Sequence, residues 1–101
     1  MTTLIVLFNL KPGVSAAEYE AFARGTDLPI VRKLPSIASF EVYKSSGLMG
    51  GGAAPYQYVE ILEVKSLEQL GKDVSTPTMK DVAAAFRKLA DNPQFMVTDS
   101  I

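Results

Sequence analysis

The sequence predicts an α+β domain in which four antiparallel strands carry their helices on one face. Three observations predict it. Short apolar runs rich in β-branched and aromatic residues alternate with amphipathic stretches in the order β-α-β-β-α-β. The two connections that carry helices are long enough for right-handed crossovers, whereas the middle strands are joined by a glycine-rich loop. At 101 residues, with 48% hydrophobic and 21% charged, the chain has room for one domain and the composition of a folded one.

Residues 3–10, Thr-Leu-Ile-Val-Leu-Phe-Asn-Leu, are nearly all apolar and are followed at once by Pro12-Gly13, which predicts a strand covered on both faces. Ser15 and Glu18 stand at capping-box spacing, and Tyr19, Phe22 and Ala23 recur at helical spacing, so a helix is expected over 16–25. Gly25 and Pro29 interrupt it, and Asp27 is placed to cap a second helical turn over 28–34. A second strand follows over 37–46, then a loop over 47–55 with four glycines, then a third strand over 56–64. Ser66 and Gln69 repeat the capping spacing for a short helix through about Val74. Thr76-Pro77 opens a longer one, with proline in the first turn where its missing N–H costs nothing. Met79, Val82, Ala83, Phe86, Leu89 and Ala90 form the apolar stripe of that helix. Asp91-Asn92-Pro93 is expected to end it, before a last strand over 95–98.

This order is the ferredoxin-like arrangement, with one sheet face left open. Strand one is apolar on both parities, Leu4, Val6 and Phe8 on one side and Ile5 and Leu7 on the other, so a face-to-face homodimer is the simplest cover. Net charge is −1, from ten Lys and Arg against eleven Asp and Glu, which gives no electrostatic footprint for nucleic acid or an anionic membrane. No stretch approaches the roughly 20 apolar residues of a membrane span, and the opening lacks the features of a signal peptide, so a cytoplasmic protein is the expectation. The chain has no cysteine and no histidine. That removes thiolate and imidazole metal sites, proximal-His haem, and Cys- or His-based nucleophilic catalysis. No cofactor and no metal are expected.

Several strings carry a resemblance. Ile5 to Ser15, I-V-L-F-N-L-K-P-G-V-S, resembles members of the dimeric α/β-barrel superfamily, in which two such sheets pack into one barrel. Thr26 to Pro29, Phe40 to Tyr43, Gly47 to Gly52, Pro55 to Glu60 and Asp91 to Phe95 are similar to the REDY-like HapK family, so the resemblance spans essentially the whole chain. It implies a place in prodigiosin-type or related secondary metabolism, and cofactor-free condensation, dimerisation or cyclisation of a small aromatic intermediate. Related polyketide cyclases carry H-P-x-H at the start of the second long helix and a histidine in strand one. Here those positions hold Thr76-Pro77-Thr78-Met79 and Leu4, so their imidazole chemistry does not transfer.

Without His or Cys, proton transfer near neutral pH falls to carboxyl, phenol or amine groups with shifted acidities. Glu60 is the first catalytic candidate: it shares strand parity with Tyr58, Leu62 and Val64, and a central strand would aim it at an apolar interior. The alternative is an ion pair with Arg24 or Arg32, or exposure at a sheet edge. Asp27 is the second, at the break in the first helix, with helix capping as its alternative. Tyr19, Tyr43, Tyr56 and Tyr58 are candidates to orient a phenol or ketone, against plain packing, and Phe22 joins this substrate-binding set. Arg24 and Arg32 would hold a substrate carboxylate, unless they are solvated or paired. Gly50-Gly51-Gly52 lacks the Lys-Ser/Thr of a phosphate loop and reads as a hairpin linker or a lid. A cofactor-independent condensing enzyme or cyclase is therefore expected, with a non-catalytic ligand-binding accessory protein and a cofactor-free monooxygenase as alternatives.

Overall fold

Strand pairing follows the apolar runs. In the computed structural model, which describes residues 1–101, β1 (Thr2–Leu10), β2 (Ile37–Lys44), β3 (Tyr58–Val64) and β4 (Ala90–Asp99) form one antiparallel sheet in the order β2-β3-β1-β4. The most apolar strands, β1 and β3, take the centre. Helices α1 (Ala16–Phe22), α2 (Leu28–Val31), α3 (Leu67–Asp73) and α4 (Pro77–Leu89) cover one face, giving the ferredoxin-like α+β fold. Side chains of even number on β1 and β3 meet the helices: Val6, Phe8, Tyr58, Leu62 and Val64 pack there with Tyr19, Val31, Met79, Val82 and Phe86. The expected caps form, with Ser15, Ser66 and Thr76 each accepting the backbone N–H three residues on. Asp73 fastens α3 to the turn before β2: its carboxylate accepts the Ser36 N–H at 2.9 Å and a Gln69 amide hydrogen at 2.8 Å.

The first helix departs from expectation. Residues 16–31 run on without a break, through a π turn at Ala23–Asp27 in which the Leu28 N–H reaches back five residues to the Ala23 carbonyl. Asp27 keeps helical backbone angles (φ −65°, ψ −56°) and makes no capping hydrogen bond, so it is not a cap. The wider turn makes room for Pro29, whose ring would otherwise press on the carbonyl of Gly25. It also keeps one face in line. Tyr19, Ala23, Asp27 and Val31 are all buried at intervals of four, a spacing that would drift by about 40° per step in a regular helix of 3.6 residues per turn.

Other boundaries shift too. The segment ends at Val31, not Leu34. β2 stops at Lys44 and β3 starts at Tyr58, so the connecting loop is longer than read. Asp91-Asn92-Pro93 lies within β4, because pairing with β1 extends to Asn9↔Asp91 and Leu10↔Ala90. Asn92 takes the left-handed conformation (φ 46°), which absorbs the register shift between Leu7 and Asn9, and Pro93 is tolerated because β4 is an edge strand.

The uncovered face carries the odd-numbered residues of the central strands. Ile5 lies opposite Ile61 and Met96, and Leu7 and Tyr43 lie opposite Val59, forming an apolar centre. Thr3 and Glu63, hydrogen-bonded at 3.0 Å, and Glu41 border it.

Candidate active site

Between the sheet and α2, α3 and α4 lies a cavity of about 460 Å³. Fourteen of its eighteen lining residues are hydrophobic; the others are Asp27, Glu60, Arg87 and Gly71. Glu60 enters from the middle of β3 on the helix-facing side and is 5% exposed. Asp27 enters from the last residue of the π turn and is 6% exposed. The fold thus brings two carboxyls, 33 positions apart in sequence, into one apolar chamber.

Their surroundings set their acidities. Glu60 Oε2 accepts a hydrogen bond from the Tyr19 hydroxyl at 3.1 Å. Tyr19 is fully buried, its ring edge-on to Phe8 with centroids 5.2 Å apart. Burial above all, and then the charge of Asp27, pushes Glu60 up to about 8, against the opposing pull of the Tyr19 bond. Burial alone pushes Asp27 up to about 6. Burial raises both carboxyls, and at Glu60 the charge of Asp27 adds to it. Near neutral pH these shifts leave Asp27 the more readily ionised of the two and Glu60 the more readily protonated. Burial, followed by the charge and hydrogen bond of Glu60, drives the Tyr19 phenol far above its ordinary value, so it remains a neutral donor.

Arginine does not reach Glu60. Arg24 pairs with Glu20 at 3.3 Å, while Arg32 donates to the Phe40 carbonyl at 3.0 Å and pairs with Glu41 at 3.2 Å. Both pair with these partners outside the chamber, and neither lines it. Tyr58, expected beside Glu60 and Asp27, shares their side of the sheet but sends its hydroxyl to Glu20 at 2.8 Å and lines a separate cleft of about 110 Å³ with Tyr19, Arg24 and Lys44. Its position at the end of β3 carries the long side chain past the chamber. Tyr43 is 55% exposed on the open sheet face, because its odd-numbered strand position points away from the helices. Phe22 packs on Tyr19 outside the cavity lining, with ring centroids 6.4 Å apart, and Tyr56 lies in the loop before β3. That loop leaves and re-enters the sheet at Lys44 and Tyr58, the end opposite Leu4 and Leu62 of the chamber, which argues for the linker and against a lid.

Several wall residues went unnamed as a site. Met79, Val82, Ala83 and Phe86 of α4 were visible as an apolar stripe, and Leu67, Leu70 and Val74 have helical spacing that marks the opposite wall. Phe95 closes the β4 side, its ring 6.4 Å from Phe86. Arg87 has no sequence signal that separates it from other surface arginines.

The sheet order, the helices on one face and the chamber between them define a ferredoxin-like domain with an internal site, and the same architecture recurs in solved structures. HapK from Hahella chejuensis is 25% identical, with a TM-score of 0.83 over 100% of this chain and 93% of that one. SnoaB from Streptomyces nogalater, a cofactor-independent oxygenase, is 16% identical, with a TM-score of 0.77 over 99% and 92%. A protein from Bacteroides fragilis, described as dimeric, of unknown function and of ferredoxin-like fold, is 16% identical, with a TM-score of 0.70 over 98% and 95%. No curated protein matches the chain in sequence. The family described as REDY-like protein HapK matches residues 2–101, and the chain belongs to that family.

Proposed function

We propose that this protein works without a cofactor in secondary-metabolite biosynthesis, in a prodigiosin-type or related aromatic pathway, and condenses or cyclises a small aromatic intermediate held in the Asp27–Glu60 chamber. The observation that carries the reading is the pair of buried carboxyls, Asp27 and Glu60, in one largely apolar cavity. Asp27, ionised, removes a proton from the carbon next to a carbonyl. Glu60, protonated and held by Tyr19, gives its proton to the carbonyl oxygen as the enol forms. The enol carbon then attacks a carbonyl carbon of the same or a second molecule; the carbonyl oxygen that takes up the electron pair receives the proton held by Asp27, and the enol O–H returns its proton to Glu60, so that the pair is restored as the aldol-type product leaves. The apolar walls exclude water and bind a flat ring.

Hydrogen–deuterium exchange at the central carbon of 1-(2-naphthyl)butane-1,3-dione, followed by NMR, tests the acid–base step. The wild type is expected to accelerate it and Asp27→Asn to lose about 100-fold of that acceleration. Binding of the probe with no acceleration would favour an accessory protein that holds a ligand without turnover. A cofactor-free oxygenase is the second reading, favoured by the likeness of fold to SnoaB. It predicts oxygen consumption with an electron-rich phenol such as 1,8-dihydroxynaphthalene, dependent on the protein.

The reading includes a homodimer through the open sheet face, supported by its apolar centre at Ile5, Leu7, Val59 and Ile61 and by the dimeric description of the Bacteroides protein. Light scattering should give twice the chain mass at micromolar concentration, and Ile61→Asp should split it into monomers. A wild-type monomer would contradict this part.

A further inference from the structure

The chamber is electrostatically one-sided. Glu60 Oε2 receives the Tyr19 hydroxyl, but Glu60 Oε1 and both Asp27 oxygens accept no hydrogen bond from the protein. Nor are they sealed away: buried side-chain atoms cut off from both solvent and partners are confined to the Ser36 hydroxyl, so these oxygens open into the cavity. The charged and titratable groups around the chamber are Asp27 from the π turn, Glu60 from β3, Tyr19 from α1 and Arg87 from α4. Tyr19 is a neutral donor already committed to Glu60. Arg87 is exposed at the rim, where water screens its charge. The walls from β1, β2 and α3 bring no donor side chain. The Asp27 oxygens, acceptors without a protein donor, and two acids without an enclosed cation are left for the ligand to complete.

We infer that the chamber selects an apolar ring bearing a protonated or protonatable nitrogen, which enters ring-outward and places its N–H donors on the free oxygens of Asp27 and Glu60, and that it rejects rings bearing a carboxylate or phosphate. An ammonium or protonated heterocycle supplies both the missing donors and the missing charge, and charge-assisted bonds are the strong ones in such surroundings. An anionic group in the same place would face two carboxyls and no buried cation, the arrangement by which a site excludes a competitor. This deepens the reading above, since it takes the same chamber as the ligand site and adds the charge class of the substrate.

A set of naphthalenes that differ only in the group at one position tests it: 2-(aminomethyl)naphthalene, 2-(hydroxymethyl)naphthalene and 2-naphthoate, titrated calorimetrically at pH 7. The amine should bind about tenfold more tightly than the alcohol, and the carboxylate at least tenfold more weakly than the alcohol. Amine binding should also release a proton from the carboxyl pair, seen as a dependence of the heat on the buffer's ionisation enthalpy that the alcohol does not show. In the Asp27→Asn, Glu60→Gln double variant, checked for folding by circular dichroism, amine and alcohol should bind within about twofold of one another. Equal or tighter binding of 2-naphthoate overturns the inference, as does the absence of saturable amine binding below millimolar concentration. Two outcomes separate the claims. If the amine has no advantage while diketone exchange still depends on Asp27, the charge class falls and the catalytic reading stands. If the amine is preferred but the wild type accelerates no exchange, the site is cation-selective and the catalytic reading falls.

Discussion

Two tyrosine–glutamate pairs cross between α1 and β3. The helix gives Tyr19 and Glu20, the strand gives Tyr58 and Glu60, and each tyrosine donates to the glutamate of the other element, at 3.1 Å for Tyr19–Glu60 and 2.8 Å for Tyr58–Glu20. The rings even touch, with centroids 4.7 Å apart. Yet the carboxyls respond in opposite directions. Glu20 sits in the open cleft, where the Tyr58 bond and then Lys44, at 3.3 Å, hold it below its ordinary value, with Arg24 adding to the effect. Glu60 sits buried in the chamber with one donor and a neighbouring acid, and rises. The residue types and the direction of the hydrogen bond are the same, so the opposite shifts come from burial, from the sign of the next charge and from the shorter Tyr58 bond.

Breaking the inner pair should have the larger consequences. Both Asp27 and Glu60 have folded-state values above their unfolded ones, so the folded state holds protons that the unfolded chain gives up. Their contribution is fully present below about pH 4, declines as pH rises, and is lost once pH passes the folded values of about 6 and 8. The Asp27→Asn, Glu60→Gln variant should therefore be the more stable protein at pH 8, by on the order of 3 kcal/mol, and have a flatter stability profile in urea unfolding between pH 5 and 8. Glu20 has the opposite sign: its contribution is present above its unfolded value and fades in acid, and Glu20→Gln should leave the profile between pH 5 and 8 unchanged.

Next in size is the rate. Glu60→Gln should lower diketone exchange by about 100-fold, or about 2.7 kcal/mol of barrier, while Glu20→Gln stays within about twofold of wild type. Equal losses from the two would mean that fold integrity, not the chamber, is being read.

The hydroxyls come last. Tyr19→Phe removes the only bond that opposes the rise of Glu60, so the alkaline limb of the rate profile should move to higher pH, with a loss of about 1–2 kcal/mol in stability. Tyr58→Phe leaves Glu20 with Lys44, Arg24 and water, and its rate profile should be unmoved. Stopped rate measurements from pH 5 to 9 on both variants check the contrast.

How much of this was legible beforehand depended on the kind of signal. The strands, the sheet class and the direction of Glu60 were readable because alternation along a central strand fixes which side chains share a face. Direction along the strand was not. Tyr58 and Glu60 have the same parity, but only the distance to α1 sends one hydroxyl outward and leaves the other group in the chamber. Gly25 and Pro29 read as breakers because both disfavour an α-helix, whereas a π turn accommodates them and delivers Asp27 inward. Asp91-Asn92-Pro93 read as a stop for the same local reason, and a long-range pairing with Asn9 and Leu10 overrode it. The volume of the chamber has no local signature at all, since it depends on how far α3 and α4 stand from the sheet.

The central claim is that near neutral pH Asp27 is the more readily ionised of the two chamber carboxyls and Glu60 the more readily protonated. Titration of the side-chain carboxyl carbons by NMR, with ¹³C-labelled Asp and Glu and assignments from Asp27→Asn and Glu60→Gln, reads it directly. The account predicts midpoints near 6 for Asp27 and near 8 for Glu60, with Glu20 below the ordinary glutamate range. Midpoints for both chamber carboxyls below pH 5 would contradict it.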